Sequence, residues 1–142
     1  MATPEAKKAL VVLATGAEDM EVVTVADVLR RGGVTSPEIA ELAKEQEANN
    51  RYLAAICAAP ICLCSHAVFK GRTVTSSPLE WVKSRILEAG LHQYSEDRVV
   101  VDGNLITSRA VGTTLEFALK ILECLVGKDT VAKLGSELMV KD

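Results

Sequence analysis

Tyr52-Leu53-Ala54-Ala55-Ile56-Cys57-Ala58-Ala59-Pro60-Ile61-Cys62-Leu63-Cys64 is the stretch that decides the fold of this 142-residue sequence. Its first half is a short apolar run that predicts one buried strand, and its second half, with a proline near its start, predicts a helix. Cys57 then lies at the corner between them, where unpaired N–H groups and the positive end of the helix dipole favour a thiolate. α/β proteins present nucleophiles in this geometry. The alternative is a buried and inert thiol, which is the usual state of a free cysteine.

Length, charge and cysteine content limit the class of protein. A chain of this length is expected to form one domain, residues 1–142, that buries roughly two thirds of its unfolded surface. The net charge is −3, and no basic stripe suits a phosphate backbone, so we expect no nucleic-acid binding. The four cysteines lack the pattern of a disulfide framework. Because no secretion signal is visible and the longest apolar run contains Pro60, we expect a soluble protein of the cytoplasm that binds no membrane.

A strand and a helix are predicted ahead of the central stretch. Residues 9–13 are a continuous β-rich run, typical of a strand covered on both faces in a parallel sheet. Helical spacing starts at Glu18 and stops at Gly32-Gly33, so Met20 and Glu21 fall in the first turn of the helix. The carboxyl ends of parallel strands share one sheet edge, so Glu21 could meet Cys57 there and act as a general acid or base. The alternative is a solvated glutamate that favours a helix N-terminus.

The order of elements is irregular after this first helix. Ser36-Pro37-Glu38 is a strong helix start, with serine as N-cap and proline at the first helical position. The helix continues to Asn49-Asn50, so two helices follow each other with no strand between them. Since a right-handed βα chain should return to the sheet here, we expect that residues are missing between Thr35 and Ser36.

The rest of the chain alternates between strand and helix signals. Residues 72–75 predict a short strand, and Ser76-Ser77-Pro78 predict the start of a helix that ends at Gly90. We expect Leu79, Val82, Ile86 and Trp81 to form the buried side of that helix. Asp102-Gly103 between residues 98–101 and 104–107 predicts an antiparallel hairpin added to the sheet.

Two further helices are expected near the end of the sequence. Thr113-Thr114-Leu115-Glu116 has the pattern of a capping box, and the helix that it opens should bury its apolar side before Gly127. The buried residues expected there are Phe117, Ala118, Ile121, Leu122 and Leu125. A weaker helix is predicted around residues 130–134.

A metal site is an alternative use of the cysteines that we do not favour. Cys62 and His66 are four residues apart and share a helix face, while Cys64 points away. Two ligands on one helix do not make a metal site, which needs three or four. We therefore expect these side chains to pack in the core and expect no metal.

Four segments resemble the DJ-one family, the Parkinson-disease protein deglycase and glyoxalase III group of the ThiJ/PfpI superfamily. They are Ala17-Glu18-Asp19-Met20-Glu21, Ala54-Ala55-Ile56-Cys57-Ala58-Ala59-Pro60, Tyr94-Ser95-Glu96-Asp97-Arg98 and Ile106-Thr107-Ser108-Arg109. The resemblance implies an α/β flavodoxin-like sandwich with a mostly parallel sheet, missing its central strands here, that forms a homodimer. It also implies a cofactor-independent protein of the cytoplasm, with the nucleus as a second location, that converts methylglyoxal or acts on glycated protein.

The resemblance also assigns roles to four residues. Cys57 takes the place of the reactive cysteine and oxidation site, and Glu21 that of the neighbouring general acid or base. The amide of Ala58 would help to hold a developing oxyanion. Ser77 stands where many members carry an active-site histidine, although serine is a far weaker acid or base.

Three departures from the family leave other functions open. The family's additional strands and a glycine pair over the reactive cysteine are absent after Thr35, Ser77 replaces the histidine, and Ala110-Val111 replaces a glycine-proline pair. Loss of strands exposes sheet edges and apolar helix faces, so we expect impaired folding. The alternatives to an enzyme are a redox-sensing, chaperone-like protein with little catalysis and an inactive shortened isoform.

Overall fold

The computed structural model describes residues 37–137, with side chains for residues 40–132. The chain divides between Ala40 and Glu41 into two units, and the second, Glu41–Asp142, contains nearly all of the described residues. The predicted first strand and first helix, with Met20 and Glu21, lie outside the described residues. The same holds for the Thr35–Ser36 junction.

Five α-helices and five strands follow one another in the described residues. The helices are α1 Pro37–Ala48, α2 Ile61–Ser65, α3 Glu80–Ala89, α4 Thr114–Val126 and α5 Lys128–Glu137, with a 3-10 turn at Val111–Thr113 ahead of α4. The strands are β1 Leu53–Ile56, β2 Thr73–Val74, β3 Gln93–Tyr94, β4 Val99–Asp102 and β5 Leu105–Ser108. None of these helices has both the length and the apolar character needed to cross a membrane. The predicted strands and helices over this part of the chain are confirmed, with differences at their ends, whereas β3 was not predicted.

The strands form one mixed sheet and one separate parallel pair. β1 pairs in parallel with β5, from Leu53 opposite Leu105 to Ile56 opposite Ser108, and β5 pairs antiparallel with β4. β2 and β3 form the second, two-stranded sheet. Since β1 and β5 run in parallel with matched ends, Cys57 and the residues after Ser108 emerge at the same edge.

The hairpin turn lies one residue later than the sequence predicts. Asp102 is the last residue of β4 and pairs with Leu105, so Gly103 and Asn104 form the turn. Gly103 has φ +61°, a conformation that glycine adopts without strain. The carboxylate of Asp102 accepts hydrogen bonds from the Thr73 amide, at 2.7 Å, and from Arg72, at 2.9 Å. These contacts hold Asp102 in the strand and link the hairpin to β2.

The core lies between α2, α3 and the sheet, and it includes only part of the predicted buried face of α3. Its fully buried members include Leu63, Phe69, Val74, Val82, Ile86 and Leu105. Val82 and Ile86 are buried as predicted, but Leu79 is 54% exposed and Trp81 is 56% exposed. The prediction was wrong for these two because α3 begins only at Glu80, which leaves Leu79 as an extended N-cap residue. Trp81 is about 100° around the helix from Val82 and faces away from the core.

The capping box predicted at the start of α4 is also absent. Thr113 precedes the helix, but its side chain makes no cap hydrogen bond to it. Instead its hydroxyl donates to the Ala110 carbonyl and contacts the Ser108 hydroxyl at 2.7 Å. Glu116 pairs with Arg98 through both carboxylate oxygens. Leu125, predicted to be buried on this helix, is 61% exposed, and Ala118 is exposed as well.

Candidate active site

Cys57 stands directly after β1 in a strained backbone conformation. Its φ is +65°, a value that costs a residue other than glycine about 1–3 kcal/mol, and its side chain is exposed. The predicted corner is therefore present, but its second half differs from the prediction. Residues 57–60 form a separate turn, and the five-residue helix α2 begins only at Ile61. The thiol precedes the helix by that turn instead of standing on its first turn.

Two backbone hydrogen bonds hold the corner from both sides. The Cys57 amide donates to the carbonyl of Ser108, the last residue of β5, at 3.1 Å. The Ser77 amide donates to the Cys57 carbonyl at 2.8 Å. Because both polar groups of the residue are bound to neighbouring segments, the surroundings impose the unusual φ of Cys57. The sulfur is thus presented to solvent from a fixed main chain.

The amide of Ala58 fits the predicted oxyanion role in one respect. No carbonyl of residues 37–137 and no side chain of residues 40–132 accepts a hydrogen bond from it, whereas the amides of Ala59 and Ile61 donate to the carbonyls of Ile56 and Ala58. A main-chain donor without an acceptor beside an exposed thiol can bind an oxygen that becomes negatively charged.

Ser77 meets Cys57 through its main chain. Ser77 is 3% exposed, and among the described residues its hydroxyl accepts one long hydrogen bond, 3.4 Å, from the Leu79 amide. The neighbouring Ser76 hydroxyl lies 3.2 Å from the hydroxyl of Tyr94. Ser77 is therefore next to the candidate nucleophile, as the resemblance implies, but its hydroxyl serves the turn into α3.

A chain of charged side chains beside the end of β5 did not figure in the predicted site. Arg109 donates to the Glu96 carbonyl at 2.7 Å and forms an ion pair with the Glu96 carboxylate at 2.6 Å. Lys83 also pairs with Glu96, and its ammonium group lies 5.2 Å from the centre of the Tyr94 ring. The hydrogen bond from Lys83, with the charges of Lys83 and Arg109, lowers the pKa of Glu96. Glu96 and Arg109 were visible in the sequence only as members of quoted motifs, since their pairing needs the tertiary fold.

Of the predicted site residues, the structure brings together Cys57, Ala58 and Ser77, while Glu21 lies outside the described residues. Among the described residues, no three histidine, cysteine, aspartate or glutamate side chains come close enough together to hold a metal ion.

Comparison with known proteins identifies the family. The sequence model of the DJ-1/PfpI family matches residues 34–124. This is the family called DJ-one above, and the matched range includes Cys57 and Ser77. The chain belongs to the DJ-1/PfpI family. The Parkinson disease protein 7 homolog of Danio rerio is 34% identical to it, over 96% of this chain and 98% of the relative. The glutathione-independent glyoxalase DJR-1.2 of Caenorhabditis elegans is 38% identical, over 69% of this chain and 50% of the relative.

Solved structures of family members show the same fold. The crystal structure of Drosophila melanogaster DJ-1beta superposes with a TM-score of 0.70 at 42% identity, and covers 75% of this chain. Schizosaccharomyces pombe DJ-1 gives a TM-score of 0.67 at 28% identity. The predicted flavodoxin-like α/β fold of the DJ-1/PfpI family is thus confirmed. The chain spans about half the length of these solved structures, 56% and 55% respectively.

The alignment with the Danio rerio relative locates the difference in length. It runs over 188 residues and reaches 98% of the relative, although this chain has only 142 residues. The residues of the relative that have no counterpart here therefore lie inside the alignment. This finding agrees with the expectation that the chain is an internally shortened DJ-1/PfpI protein. The exact position of the junction, between Thr35 and Ser36, stays a prediction.

Proposed function

We propose that this DJ-1/PfpI protein is a cysteine-dependent, cofactor-independent enzyme of the glyoxalase or deglycase type. Its substrates would be methylglyoxal, another small 2-oxoaldehyde, or the early adduct of such an aldehyde with a protein. The observation that carries the proposal is the exposed thiol of Cys57, held at φ +65° by backbone hydrogen bonds on both sides. A main chain that stores strain to present one side chain is a feature of functional sites.

The proposed reaction begins with addition of the Cys57 sulfur to the aldehyde carbon of methylglyoxal, which forms a hemithioacetal. Glu21 then removes the proton from that carbon and returns it to the neighbouring carbon, so that a thioester of lactate results. Water hydrolyses the thioester, which releases lactate and regenerates the thiol. The sum is one methylglyoxal and one water converted to one lactate, and no external oxidant or cofactor is needed.

Two observations support this route. The Ala58 amide has no acceptor in the described part of the chain and could stabilise the oxyanion of the hemithioacetal and of the hydrolysis step. A relative with 38% identity carries the name of a glutathione-independent glyoxalase. The proposal extends the activity in that name to this chain.

A second candidate function is a redox-responsive, chaperone-like protein with little catalysis. It is favoured by Ser77, which stands at the position of the family's histidine, is 3% exposed and has its hydroxyl turned to the Leu79 amide. A site without that histidine has one fewer group to move protons, whereas oxidation of Cys57 to sulfenic and sulfinic acid needs only the thiolate and peroxide. For either function, a homodimer in the cytoplasm stays an expectation.

The deciding experiment is lactate formation from methylglyoxal by purified, folded protein. We expect Cys57→Ser to lower turnover at least about 100-fold, and Glu21→Gln to have a comparable effect, because both remove a group that takes part in bond making. The matched control is Cys124→Ser, which removes a half-buried thiol on α4 and should retain wild-type turnover.

Equal turnover by the wild type and Cys57→Ser would exclude the proposed mechanism, in which Cys57 is the nucleophile. If turnover is absent, exposure to peroxide tests the second candidate. Mass spectrometry should then find oxygen on Cys57 before the other thiols, together with altered protection of a client protein from aggregation.

A further inference from the structure

A second thiol, Cys64, is paired with a histidine away from Cys57. Cys64 lies on α2, and its sulfur is 3.5 Å from Nδ1 of His92 in the segment between α3 and β3. The two residues are 28 positions apart in sequence, so the fold brings them together. Both are half-buried, and Cys64 also packs against the hydrophobic core.

The other nitrogen of His92 fixes its role. Nε2 is 2.9 Å from the carbonyl oxygen of Val68. A carbonyl can only accept a hydrogen bond, so in the neutral ring Nε2 carries the proton and Nδ1 has a free lone pair. The thiol of Cys64 therefore donates to Nδ1. A sulfur nucleophile, a base and a group that orients the base form the arrangement used to activate cysteines.

The environment of Cys64 makes that base necessary. Burial raises the pKa of the Cys64 thiol, a backbone hydrogen bond opposes part of this rise, and the neighbouring Cys62 adds a smaller increase. Without help, the sulfur keeps its proton at neutral pH and reacts slowly. Transfer of the proton to His92 is the available way to form the nucleophile.

A shallow, open cavity lies beside Cys64 between α2 and α3. Its volume is about 330 Å³, and it is lined by Ile61, Cys64, Ser65, Arg85, Glu88 and Ala89. Within the described residues, neither Arg85 nor Glu88 belongs to an ion pair. A cation and an anion beside one thiol suit a small ligand that carries both a carboxylate and an ammonium group.

We propose that Cys64 and His92 form a second reactive site, which exchanges with small disulfides that carry carboxylate and ammonium groups, such as glutathione disulfide. His92 accepts the proton of Cys64, and the sulfur attacks one sulfur of the disulfide. A bond forms between Cys64 and that sulfur, the original disulfide bond breaks, and the leaving thiolate takes the proton from His92. One thiol and one disulfide give a mixed disulfide and a new thiol. The site is independent of the function proposed for Cys57.

The test is reaction of the full chain with glutathione disulfide in the Cys57→Ser background, with the mixed disulfides quantified by peptide mapping. We expect Cys64 to be modified at least about tenfold faster than Cys62 or Cys124, since among these thiols in the described part of the chain it is Cys64 that lies at hydrogen-bond distance from a histidine nitrogen. His92→Gln keeps a donor for the Val68 carbonyl but has no basic nitrogen, so it should remove that advantage. His66→Gln is the matched histidine control and should leave the rate at Cys64 unchanged.

The charged groups are tested with a second probe. Arg85→Ala and Glu88→Ala should each slow modification by glutathione disulfide a few-fold, but not modification by the uncharged 2-hydroxyethyl disulfide. Lys70→Ala, an exposed cation outside the cavity, is the control. Circular dichroism and thermal unfolding identify any variant that has lost its fold. If His92→Gln is such a variant, His92→Asn takes its place in the test.

Two results would overturn the proposal. Modification of Cys64 no faster than that of Cys62 and Cys124, or an unchanged rate in folded His92→Gln, would refute the reactive pair. Equal effects of the Arg85 and Glu88 variants on both disulfides would refute the ligand class.

Discussion

The main-chain amide of Ser77 donates a 2.8 Å hydrogen bond to the carbonyl of Cys57. This contact joins the segment after β2 to the corner after β1, and it uses no side-chain atom of Ser77. At the position where many family members are expected to carry a histidine, the main chain of this protein therefore contacts Cys57.

The Ser77 contact predicts different effects for two substitutions. Ser77→Ala keeps the amide, so the rate at which iodoacetamide alkylates Cys57 should change less than about threefold, because only a weak hydroxyl contact is lost. Ser77→Pro removes the N–H and should lower the free energy of unfolding by about 1–3 kcal/mol, since the Cys57 carbonyl loses its donor. Residue-specific alkylation and urea unfolding measure the two quantities. A large effect of Ser77→Ala on alkylation would show that the hydroxyl itself acts on the thiol.

The positive φ of Cys57 predicts that glycine is more stable than alanine at this position. Both substitutions remove the thiol, but only glycine adopts φ +65° without steric cost, so Cys57→Gly should exceed Cys57→Ala by about 1 kcal/mol in the free energy of unfolding. Urea unfolding of the two variants provides the comparison. Ala54→Gly, on the same strand, is the control and should be destabilising by about 0.5–1 kcal/mol. Equal stability of the two Cys57 variants would mean that the corner relaxes when the thiol is removed.

The hydroxyl of Thr113 connects the end of β5 to the start of α4. It is buried, contacts the Ser108 hydroxyl at 2.7 Å, donates to the Ala110 carbonyl and accepts from the Ala110 amide. Thr113→Val removes the acceptor of the Ala110 amide, while the Ala110 carbonyl keeps the Thr113 amide and the Ser108 hydroxyl keeps the Arg98 carbonyl as partners. The loss of this buried acceptor should lower the free energy of unfolding by about 1–3 kcal/mol.

Thr114→Val is the matched control for Thr113→Val. The Thr114 hydroxyl is exposed and makes one hydrogen bond, to the Val111 carbonyl, so water can replace it. The expected loss is less than about 0.5 kcal/mol. Thermal and urea unfolding should rank the two variants in that order, and the reverse order would contradict the proposed role of Thr113.

The carboxylate of Asp102 predicts a pH-dependent part of the stability. Its hydrogen bond from the Thr73 amide, with the contact and charge of Arg72, lowers the pKa of Asp102. A lowered pKa in the folded state stabilises the protein fully above the unfolded-state value of about 3.9. This contribution is lost as the pH falls below that value through the folded-state pKa.

Asp102→Asn tests this contribution. At pH 7 the substitution should lower the free energy of unfolding by about 1–2 kcal/mol, because the charged acceptor for Thr73 and Arg72 is lost. The difference from the wild type should shrink below about pH 4, where the wild-type carboxylate takes up its proton. Urea unfolding across this pH range measures it. A difference that stays constant down to pH 3 would contradict the linkage.

Local signals in the sequence were sufficient to predict the described elements other than β3, and the corner at Cys57. The apolar run before Cys57 predicted β1, the turn residues around Gly103 predicted the hairpin, and Gly90 and Gly127 predicted two helix ends. These predictions hold because strand burial, left-handed turns and helix termination depend on residues adjacent in the chain. The motifs around Cys57 also indicated the DJ-1/PfpI family, which the family match confirms.

The pairing of distant side chains was decided only by the tertiary structure. The Thr113 hydroxyl contacts Ser108 and Ala110 instead of capping the helix, and Cys64, predicted to pack in the core, also lies at hydrogen-bond distance from His92. Trp81 is exposed because the start of α3 sets which side of the helix meets the sheet. A side chain forms the contacts that the folded chain brings within reach. The sequence by itself therefore determined most of the described elements and the family, and the packing of those elements determined which polar groups meet.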